Sequence, residues 1–330
     1  MKLGIIGTGR IAKRALKELE YVPELEVVSV YNPNYDHAQA FVKRLENAKA
    51  APNLEALGET VDAVYIATPH GTHHHYAKRM LELKRHVLCE KPMVMGTDMA
   101  KELYDLAGRK GAVLMEAIKT AYCPGFIGLE ETVSSGVIGD IVDVEAALTR
   151  LTLPGGREFD PVAYGGSFTE FGAYDMLPIF RFLGTDFSDV TFRSVITEAG
   201  VDGYTKAVFS YGAEPDNLAV IKAAATAKCG LTAKSEGQLV ITGTKGYILV
   251  PSPWWRTKYF EVRYEDPNKI DEYTYEFEGD GLRYEFSEFA RRIEELEKDG
   301  GPSEERKLFY QKERVEAEKR AEVYAEFMRQ

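Results

Sequence analysis

A glycine-rich turn near the start of the chain restricts the fold more than any other feature of the sequence. The apolar run from Lys2 to Ile6 leads directly into Gly7-Thr8-Gly9-Arg10-Ile11-Ala12, and apolar residues then recur at helical spacing. A G-x-G-x-x-G/A turn between a strand and a helix is the fingerprint of dinucleotide binding, since its first glycine permits the tight turn and its second lets a pyrophosphate approach the backbone. The N–H groups of the first helical turn then face the phosphates. The predicted dinucleotide contacts are Gly7, Thr8, Gly9, Arg10 and Ile11, and the alternative is an ordinary strand-to-helix turn.

The first third of the chain alternates short apolar runs with helical patterns. Strands are predicted over residues 2–6, 25–31, 48–50, 61–67, 86–90 and 112–117. Strands that alternate with helices in this order indicate a doubly wound parallel sheet with helices on both faces. We therefore predict an α/β Rossmann domain over residues 1–120.

The second part of the chain has a different, β-rich pattern. Helices are predicted over residues 125–135 and 167–183, and strands over residues 140–149, 190–196, 206–211, 218–227, 238–242, 247–250 and 259–264. This pattern predicts an α+β domain over residues 121–330, built on a mainly antiparallel sheet with flanking helices. We expect this domain to serve substrate binding and oligomerisation. Helices over 284–296 and 304–328 close the chain, and the thin apolar stripe of the last one predicts a surface position.

Charge and composition exclude several classes of protein. The net charge is −11, with 41 basic and 52 acidic residues interleaved, which argues against a nucleic-acid partner. No stretch approaches the roughly 18 apolar residues of a membrane span, and the first apolar run is too short for a signal sequence. Cys89, Cys123 and Cys229 lie far apart without a CxxC pair, so neither a zinc ribbon nor a disulfide framework is indicated. We expect a cytoplasmic protein with no membrane partner.

The residues after the second predicted strand bear on the choice between NAD and NADP. An acidic residue there binds the ribose 2′-OH of NAD, whereas an arginine favours the additional phosphate of NADP. This chain has Tyr31-Asn32-Pro33-Asn34, with neither residue type. Because Asn32 can hydrogen-bond a ribose without repelling a phosphate, both NAD and NADP remain open as the cofactor.

Two further segments carry a resemblance to a known family. They are Ala67-Thr68-Pro69-His70-Gly71-Thr72-His73 and His86-Val87-Leu88-Cys89-Glu90-Lys91-Pro92. Together with the N-terminal turn, and with Met115-Glu116-Ala117, residues 135–139 and residues 241–246, they resemble the glucose-fructose oxidoreductase / inositol dehydrogenase (Gfo/Idh/MocA) family. The resemblance implies that Thr68, Pro69, His73 and Glu90 lie on the cofactor side of the site, with the Glu-Lys-Pro turn beside the nicotinamide.

The resemblance also implies the catalytic residues. It gives Lys91 a part in substrate binding and proton transfer, and a cation at the carboxyl end of a parallel strand can stabilise an alkoxide. Residues 165–175 resemble the family's paired glycines followed by an acid and, four residues later, a His or Tyr. These are Glu170, in place of the commoner Asp, and Tyr174, which share one helix face. Since a tyrosine titrates near about 10, it needs a neighbouring cation to act as a base, and Lys91 can serve. The alternatives are a solvated lysine and a hydrogen-bonded core tyrosine.

These observations lead to an expected function and two alternatives. We expect hydride transfer between nicotinamide C4 and a hydroxyl-bearing carbon of a sugar, polyol or cyclic diol. The alternatives are an NAD-assisted glycoside-cleaving enzyme and a non-catalytic NAD(P)-sensing regulatory protein. A homodimer or homotetramer through the C-terminal sheet is also expected, because an open sheet has a face to cover and the resemblance implies that this face is used.

Several polar and aromatic residues have no clear role in the sequence. No metal site is expected at residues 73–75, since three consecutive histidines on a helix cannot all face one ion. Lys119 is either a substrate contact or a hinge residue. Trp254 and Trp255 are cleft, interface or packing residues, and the sequence does not separate these options.

Overall fold

Two sheets of different character organise the chain. The structure, a computed structural model, describes residues 1–212 and 221–330. Contacts divide them into two units, one of Met1–Lys119 with Gly279–Met328 and one of Thr120–Glu278 with the last two residues. The expected division into residues 1–120 and 121–330 differs from this grouping in one respect, because residues 279–328 pack with the N-terminal unit.

The elements are numbered in chain order. The strands are β1 (Lys2–Ile6), β2 (Glu26–Tyr31), β3 (Lys49–Ala50), β4 (Ala63–Ile66), β5 (His86–Glu90), β6 (Leu114–Ala117), β7 (Ile141–Thr149), β8 (Phe187–Ile196), β9 (Asp202–Tyr211), β10 (Ala223–Gly230), β11 (Leu239–Gly243), β12 (Tyr247–Val250), β13 (Tyr259–Arg263) and β14 (Ile270–Thr274). The helices are α1 (Arg10–Leu19), α2 (Tyr35–Val42), α3 (Leu54–Thr60), α4 (His73–Glu82), α5 (Thr97–Lys110), α6 (Pro124–Ser134), α7 (Ser167–Leu183), α8 (Leu282–Glu297) and α9 (Glu304–Phe327).

The first unit is built on a six-stranded parallel sheet with the order β3-β2-β1-β4-β5-β6. Strands β4, β5 and β6 are buried along their whole length, which explains why they read as continuous apolar runs. The predicted strand bounds agree with the structure within two residues at each end. The predicted Rossmann fold is thus confirmed, and the strand order reverses between β1 and β4, where sheets of this kind bind ligands at their carboxyl ends.

The last two helices pack against this parallel sheet and its helices. On α8, Arg283 pairs with Glu18 of α1, and the Phe286 ring meets the Tyr65 ring of β4 edge to face at 5.0 Å. Helix α9 was expected at the surface, but one of its faces is buried, and Ala321 belongs to the same core cluster as Leu103 of α5. The thin apolar stripe misled the prediction because buried ion pairs supply much of the contact of α9.

The second unit contains an eight-stranded sheet with the order β14-β13-β12-β11-β7-β10-β9-β8. Neighbouring strands are antiparallel except β7 and β10, and α7 packs against β7, β9 and β10. The predicted mainly antiparallel architecture is thus confirmed. The sequence predicted a strand over residues 218–227; residues 218–220 lie outside the described residues, and the strand observed is β10.

The described residues contain neither a membrane-spanning helix nor a cluster of metal ligands. Across residues 1–212 and 221–330, no helix combines the length and the apolar character needed to cross a bilayer. Within the same residues, no group of three His, Cys, Asp or Glu side chains is arranged to hold a metal ion.

Candidate active site

The glycine turn at the end of β1 has the geometry that dinucleotide binding needs. Gly7 has φ +103°, and a Cβ atom there would lie 2.4 Å from the carbonyl oxygen of Ala67. Gly9 precedes α1, and a Cβ atom there would meet no atom within 4 Å. Within residues 1–212 and 221–330, no side chain caps the N-terminus of α1, and Ala12 in its first turn is completely buried. The turn therefore leaves a cradle beside an uncapped helix N-terminus, which fits a pyrophosphate.

Asn32 is tied to this turn by its own side chain. Its Nδ2 donates to Thr8 Oγ1 at 2.8 Å, and its Oδ1 accepts from the Asn34 backbone N–H at 2.9 Å. Asn34 in turn caps α2 by accepting from the N–H groups of Asp36 and His37. The second strand therefore ends in an amide that braces the turn, and the first acidic residue after it is Asp36 in the first turn of α2.

His73 lies between the loop after β4 and the turn after β5. It is fully buried, with Nδ1 2.8 Å from the Pro92 carbonyl oxygen and Nε2 2.9 Å from the Thr68 carbonyl oxygen. The sequence placed His73 among the cofactor contacts, whereas the structure directs both of its nitrogens to backbone carbonyls. Pro69 and Thr68 stay at the same sheet edge, where both accept hydrogen bonds from the Thr72 hydroxyl.

The Glu90-Lys91-Pro92 turn ends β5, and its glutamate is buried. The Tyr65 hydroxyl donates to Glu90 Oε1 at 2.6 Å, so this predicted cofactor contact is engaged within the protein. Burial raises the pKa of Glu90, and the neighbouring Lys91 ammonium and the Tyr65 hydroxyl oppose that rise. The Lys91 side chain itself is half-buried at the end of the strand. Glu90 thus places a buried carboxyl group next to the predicted catalytic lysine.

Two further charged residues near this turn were missed or left open by the sequence. Lys119 is buried, and its ammonium donates to the backbone carbonyl of Asp280 within the same unit. Glu285 on α8 is also buried, and neither carboxyl oxygen has a hydrogen-bond partner within residues 1–212 and 221–330. Burial and the nearby Glu90 raise the pKa of Glu285 well above its ordinary value. Since Glu285 lies in the last sixth of the sequence, no local pattern could have linked it to Lys91.

In the second unit, α7 begins at an unusual backbone position. Gly166 has φ +132°, and a Cβ atom there would lie 2.1 Å from Asp202 Oδ1. Asp202 Oδ2 accepts from Ser167 Oγ at 2.5 Å, from the Phe168 N–H at 2.9 Å and from Thr205 Oγ1 at 2.6 Å. The paired glycines therefore let a carboxylate from β9 close onto the helix N-terminus, and the sequence did not single out Asp202.

Glu170 and Tyr174 both lie on α7, as predicted. Glu170 is buried, and its Oε1 is 2.9 Å from Arg157 Nη2, an ion pair that the sequence missed. Tyr174 follows one turn later and is half-buried. Asp175, which was left out of the catalytic set, is completely buried beside Cys229. The helix thus leaves Tyr174 partly accessible while it encloses the next residue.

The remaining residues with open roles are mainly structural. Trp254 is fully buried, and its Nε1 donates to the Ala147 carbonyl at 3.1 Å, so it is a packing residue. Trp255 stands edge to face against it, with ring centroids 6.5 Å apart. His74 pairs with Glu102 at 2.8 Å.

Comparison with known proteins finds a matching family model and similar relatives. A family model described as an oxidoreductase family with an NAD-binding Rossmann fold matches residues 1–118. A scyllo-inositol 2-dehydrogenase (NADP(+)) of Bacillus subtilis (strain 168) is 27% identical over 305 residues, which is 89% of each chain. Over residues 1–118 the chain matches the Gfo/Idh/MocA oxidoreductase family, and these relatives are similar to it over most of its length. The family resemblance inferred from the sequence is therefore confirmed.

Other Gfo/Idh/MocA-like proteins extend the comparison. A trans-1,2-dihydrobenzene-1,2-diol dehydrogenase of Xenopus laevis is 27% identical over 296 residues, 86% of each chain. A crystal structure of a 3-ketoreductase from Actinomadura kijaniata, in complex with NADP and TDP-benzene, superposes with a TM-score of 0.78 at 23% identity, over 96% of this chain and 94% of that one. The structural match supports the fold alone. The family-model match and the relatives together confirm the predicted enzyme class, an NAD(P)-dependent oxidoreductase, and confirm NAD or NADP as the cofactor.

Proposed function

We propose that this protein transfers a hydride between nicotinamide C4 and a hydroxyl-bearing carbon of a sugar, polyol or cyclic diol. The observation that carries the proposal is the position of Lys91, at the end of β5 in a turn held by buried hydrogen bonds, on the sheet edge that also carries the Gly7 turn. The names of the relatives from Bacillus subtilis and Xenopus laevis, an inositol and a diol dehydrogenase, support this substrate class.

The residues of the first unit fit the cofactor. The cradle at Gly7 and Gly9 and the first turn of α1 would hold the pyrophosphate, with Asn32 bracing the turn from the side. When bound, the nicotinamide accepts or releases the hydride. The glutamate-lysine turn would lie beside it, and the Lys91 ammonium would orient the substrate oxygen and stabilise negative charge there.

Proton transfer is assigned to Lys91 and Tyr174. In the oxidation direction, the substrate C–H bond breaks with its electron pair leaving as hydride, and the hydroxyl proton passes to the base as the carbonyl forms. We propose Tyr174 as that base, with Lys91 lowering the cost of its phenolate form. Glu170, paired with Arg157, would orient the first turns of α7 that carry Tyr174. Reduction is the same sequence in reverse.

A parallel substrate and cofactor screen tests this function. Polyols, aldoses and cyclic diols are offered with NAD+ and with NADP+, and reduced cofactor is followed by its absorbance at about 340 nm. We expect a stoichiometric change with at least one substrate of these classes. Product formation without net cofactor reduction would instead favour NAD-assisted glycoside cleavage. Cofactor binding without turnover of any substrate would favour a regulatory NAD(P) sensor. The relatives named above are oxidoreductases, which does not favour either alternative.

The face of the second sheet opposite α7 supports a homo-oligomer. One row of paired residues crosses it: Thr191, Val208, Thr226, Glu145, Val240, Leu249 and Glu261. Every one of these side chains is exposed or half-exposed in the isolated chain. A partly apolar sheet face of this kind is a surface that a second copy of the chain can cover. We propose a homodimer or homotetramer through this row, with the second unit also supplying substrate contacts and the first unit binding the cofactor.

A cytoplasmic location is the remaining part of the proposal. All three cysteines lie in the described part of the chain, are buried and form no disulfide. Such cysteines are typical of reducing compartments. Fractionation of cells that express the full chain tests this location directly.

A further inference from the structure

The C-terminal helix α9 reaches a buried carboxylate in the centre of the first unit. Arg320 on α9 donates from Nε to Glu116 Oε2 at 2.9 Å, and its Nη2 lies 2.8 Å from the same oxygen. Both side chains are about 5% exposed, so the pair is shielded from solvent. The two residues are 204 positions apart in sequence.

The other oxygen of Glu116 holds the turn that carries Lys91. Glu116 Oε1 accepts the backbone N–H of Met93 at 2.9 Å, in a buried hydrogen bond. Met93 follows Lys91 by two residues and is almost completely buried. One oxygen of the Glu116 carboxyl group thus binds Arg320 of the C-terminal helix, and the other binds the Met93 amide of the Lys91 turn.

Three residues next to Lys91, at positions 90, 92 and 93, each make a hydrogen bond to another part of the first unit. The Glu90 carboxyl accepts from Tyr65, the Pro92 carbonyl faces His73, and the Met93 amide donates to Glu116. The hydrogen bond from Met93 to Glu116 differs from the other two because Arg320 binds the second oxygen of the same carboxyl group. A carboxyl group that binds a guanidinium through one oxygen is held in a fixed orientation, so its other oxygen is directed at the Met93 amide.

We propose that α9, through Arg320 and Glu116, is a positioning element for Lys91. Arg320 holds the Glu116 carboxyl group in one orientation, and Glu116 fixes the Met93 amide and with it the direction of the Lys91 side chain. The part of this proposal that concerns reaction rate rests on the function proposed above. The part that concerns the geometry of the turn does not.

Helix α9 offers a matched control for Arg320. Arg314, on the same helix, pairs with Asp105 of α5 at 2.7 Å, and the two side chains are 38% and 53% exposed. Arg314→Met removes an ion pair between α9 and the rest of the unit without touching Glu116. Arg320→Met removes the guanidinium that holds Glu116 and keeps an apolar side chain, and Arg320→Lys keeps the charge without the planar fork.

The first measurement is independent of activity. The chain has eight methionines, so selective ¹⁵N-methionine labelling gives a simple amide spectrum in which Met93→Leu identifies the Met93 signal. We expect Arg320→Met to shift the Met93 amide proton upfield and to speed its exchange with solvent, and Arg314→Met to leave both unchanged. An unchanged Met93 amide in Arg320→Met overturns the proposal. If Arg320→Met does not fold, Arg320→Lys must show a smaller shift in the same direction, and no shift counts against the proposal.

The second measurement separates positioning from general stabilisation. We expect Arg320→Met to lower kcat about tenfold or more, as a loss of Lys91 alignment on the order of 1.4 kcal/mol implies, while the Kd for the reduced cofactor stays within about twofold of wild type. Arg314→Met should leave both values unchanged. A lower melting temperature with an unaltered kcat would make Arg320 merely structural and would overturn the proposal. If wild type turns over no substrate, the proposed function fails, and the Met93 amide still decides the positioning claim.

Discussion

The thiol of Cys229 on β10 donates a hydrogen bond to Asp175 on α7, with Sγ 3.3 Å from Oδ2. Both residues are fully buried in the second unit. Burial raises the pKa of Asp175 to about 8, and the hydrogen bond from Cys229 offsets that rise only in part. Asp175, which directly follows Tyr174, is therefore a neutral acid at neutral pH.

The raised pKa of Asp175 makes stability depend on pH. The unfolded carboxyl titrates near about 4, so between about pH 4 and pH 8 the folded protein binds more protons than the unfolded chain. The stability due to this group is complete below about pH 4 and is lost as pH rises through about 8. Asp175→Asn has no titratable group at this position. As pH rises from about 4 to about 8, the free energy of unfolding of Asp175→Asn should therefore increase relative to that of wild type by several kcal/mol, as measured by urea unfolding. The exposed Asp189→Asn is the control, and identical pH profiles for wild type and Asp175→Asn would refute the raised pKa.

Alanine substitutions of the two glycines in the cofactor turn should affect different properties, stability for Gly7 and cofactor affinity for Gly9. Gly7→Ala forces a side chain into a positive-φ position and against the Ala67 carbonyl, so we expect a loss of about 2 kcal/mol or more in the free energy of unfolding. Gly9→Ala meets no protein atom within 4 Å, so it should unfold like wild type. Because the new methyl group would occupy the space that a pyrophosphate needs, Gly9→Ala should nevertheless lower cofactor affinity at least tenfold. Urea unfolding and cofactor fluorescence titration measure the two effects, and normal affinity in Gly9→Ala would contradict the proposed cradle.

The catalytic pair should lose rate without losing cofactor. Lys91→Ala and Tyr174→Phe are each expected to lower kcat by about 10² to 10⁴, the usual contribution of a positioned proton-transfer group. If both residues serve one proton transfer, the double variant should be scarcely slower than the worse single variant. The Kd for cofactor should change little, and Lys101→Ala, an exposed lysine on α5, is the control. Strict additivity of the two effects on the activation free energy would separate Tyr174 from Lys91.

The outer row of the second sheet should control assembly. Val208 is 38% exposed and lies on this row two strands from Glu145, so Val208→Glu would add a carboxylate to the face and should dissociate the proposed oligomer. Leu153→Glu introduces the same charge at a loop residue that is 87% exposed and should leave assembly unchanged. Sedimentation velocity at micromolar concentration distinguishes the outcomes. A wild-type monomer would refute the oligomer, and an undissociated Val208→Glu would place the interface elsewhere.

Local sequence patterns predicted the secondary-structure elements well. The strand bounds of the Rossmann sheet and the bounds of α7 follow from hydrophobic periodicity and glycine punctuation, which depend only on neighbouring residues. The Gly7 turn was identified because all of its parts are adjacent in sequence. Strand β14 was not singled out, since its alternation of exposed and half-buried residues is weak.

Contacts between distant residues could not be read in the same way. Asp202 closing on Gly166, Arg157 pairing with Glu170 and Arg320 holding Glu116 all depend on how separate elements pack. The assignment of α9 to the surface shows the same difficulty, because a helix that buries charged pairs has no strong apolar stripe.

The sequence alone determined the Rossmann fold, the family resemblance and the position of the Lys91 turn at the end of its strand, because short contiguous segments carry each of these features. Only the tertiary structure decided that the C-terminal helices join the first unit and that Glu116 holds Met93. It also decided that Asp175 is buried beside Cys229 and neutral. These features arise from burial and charge pairing between residues far apart in the chain, and a single sequence holds no record of such distances.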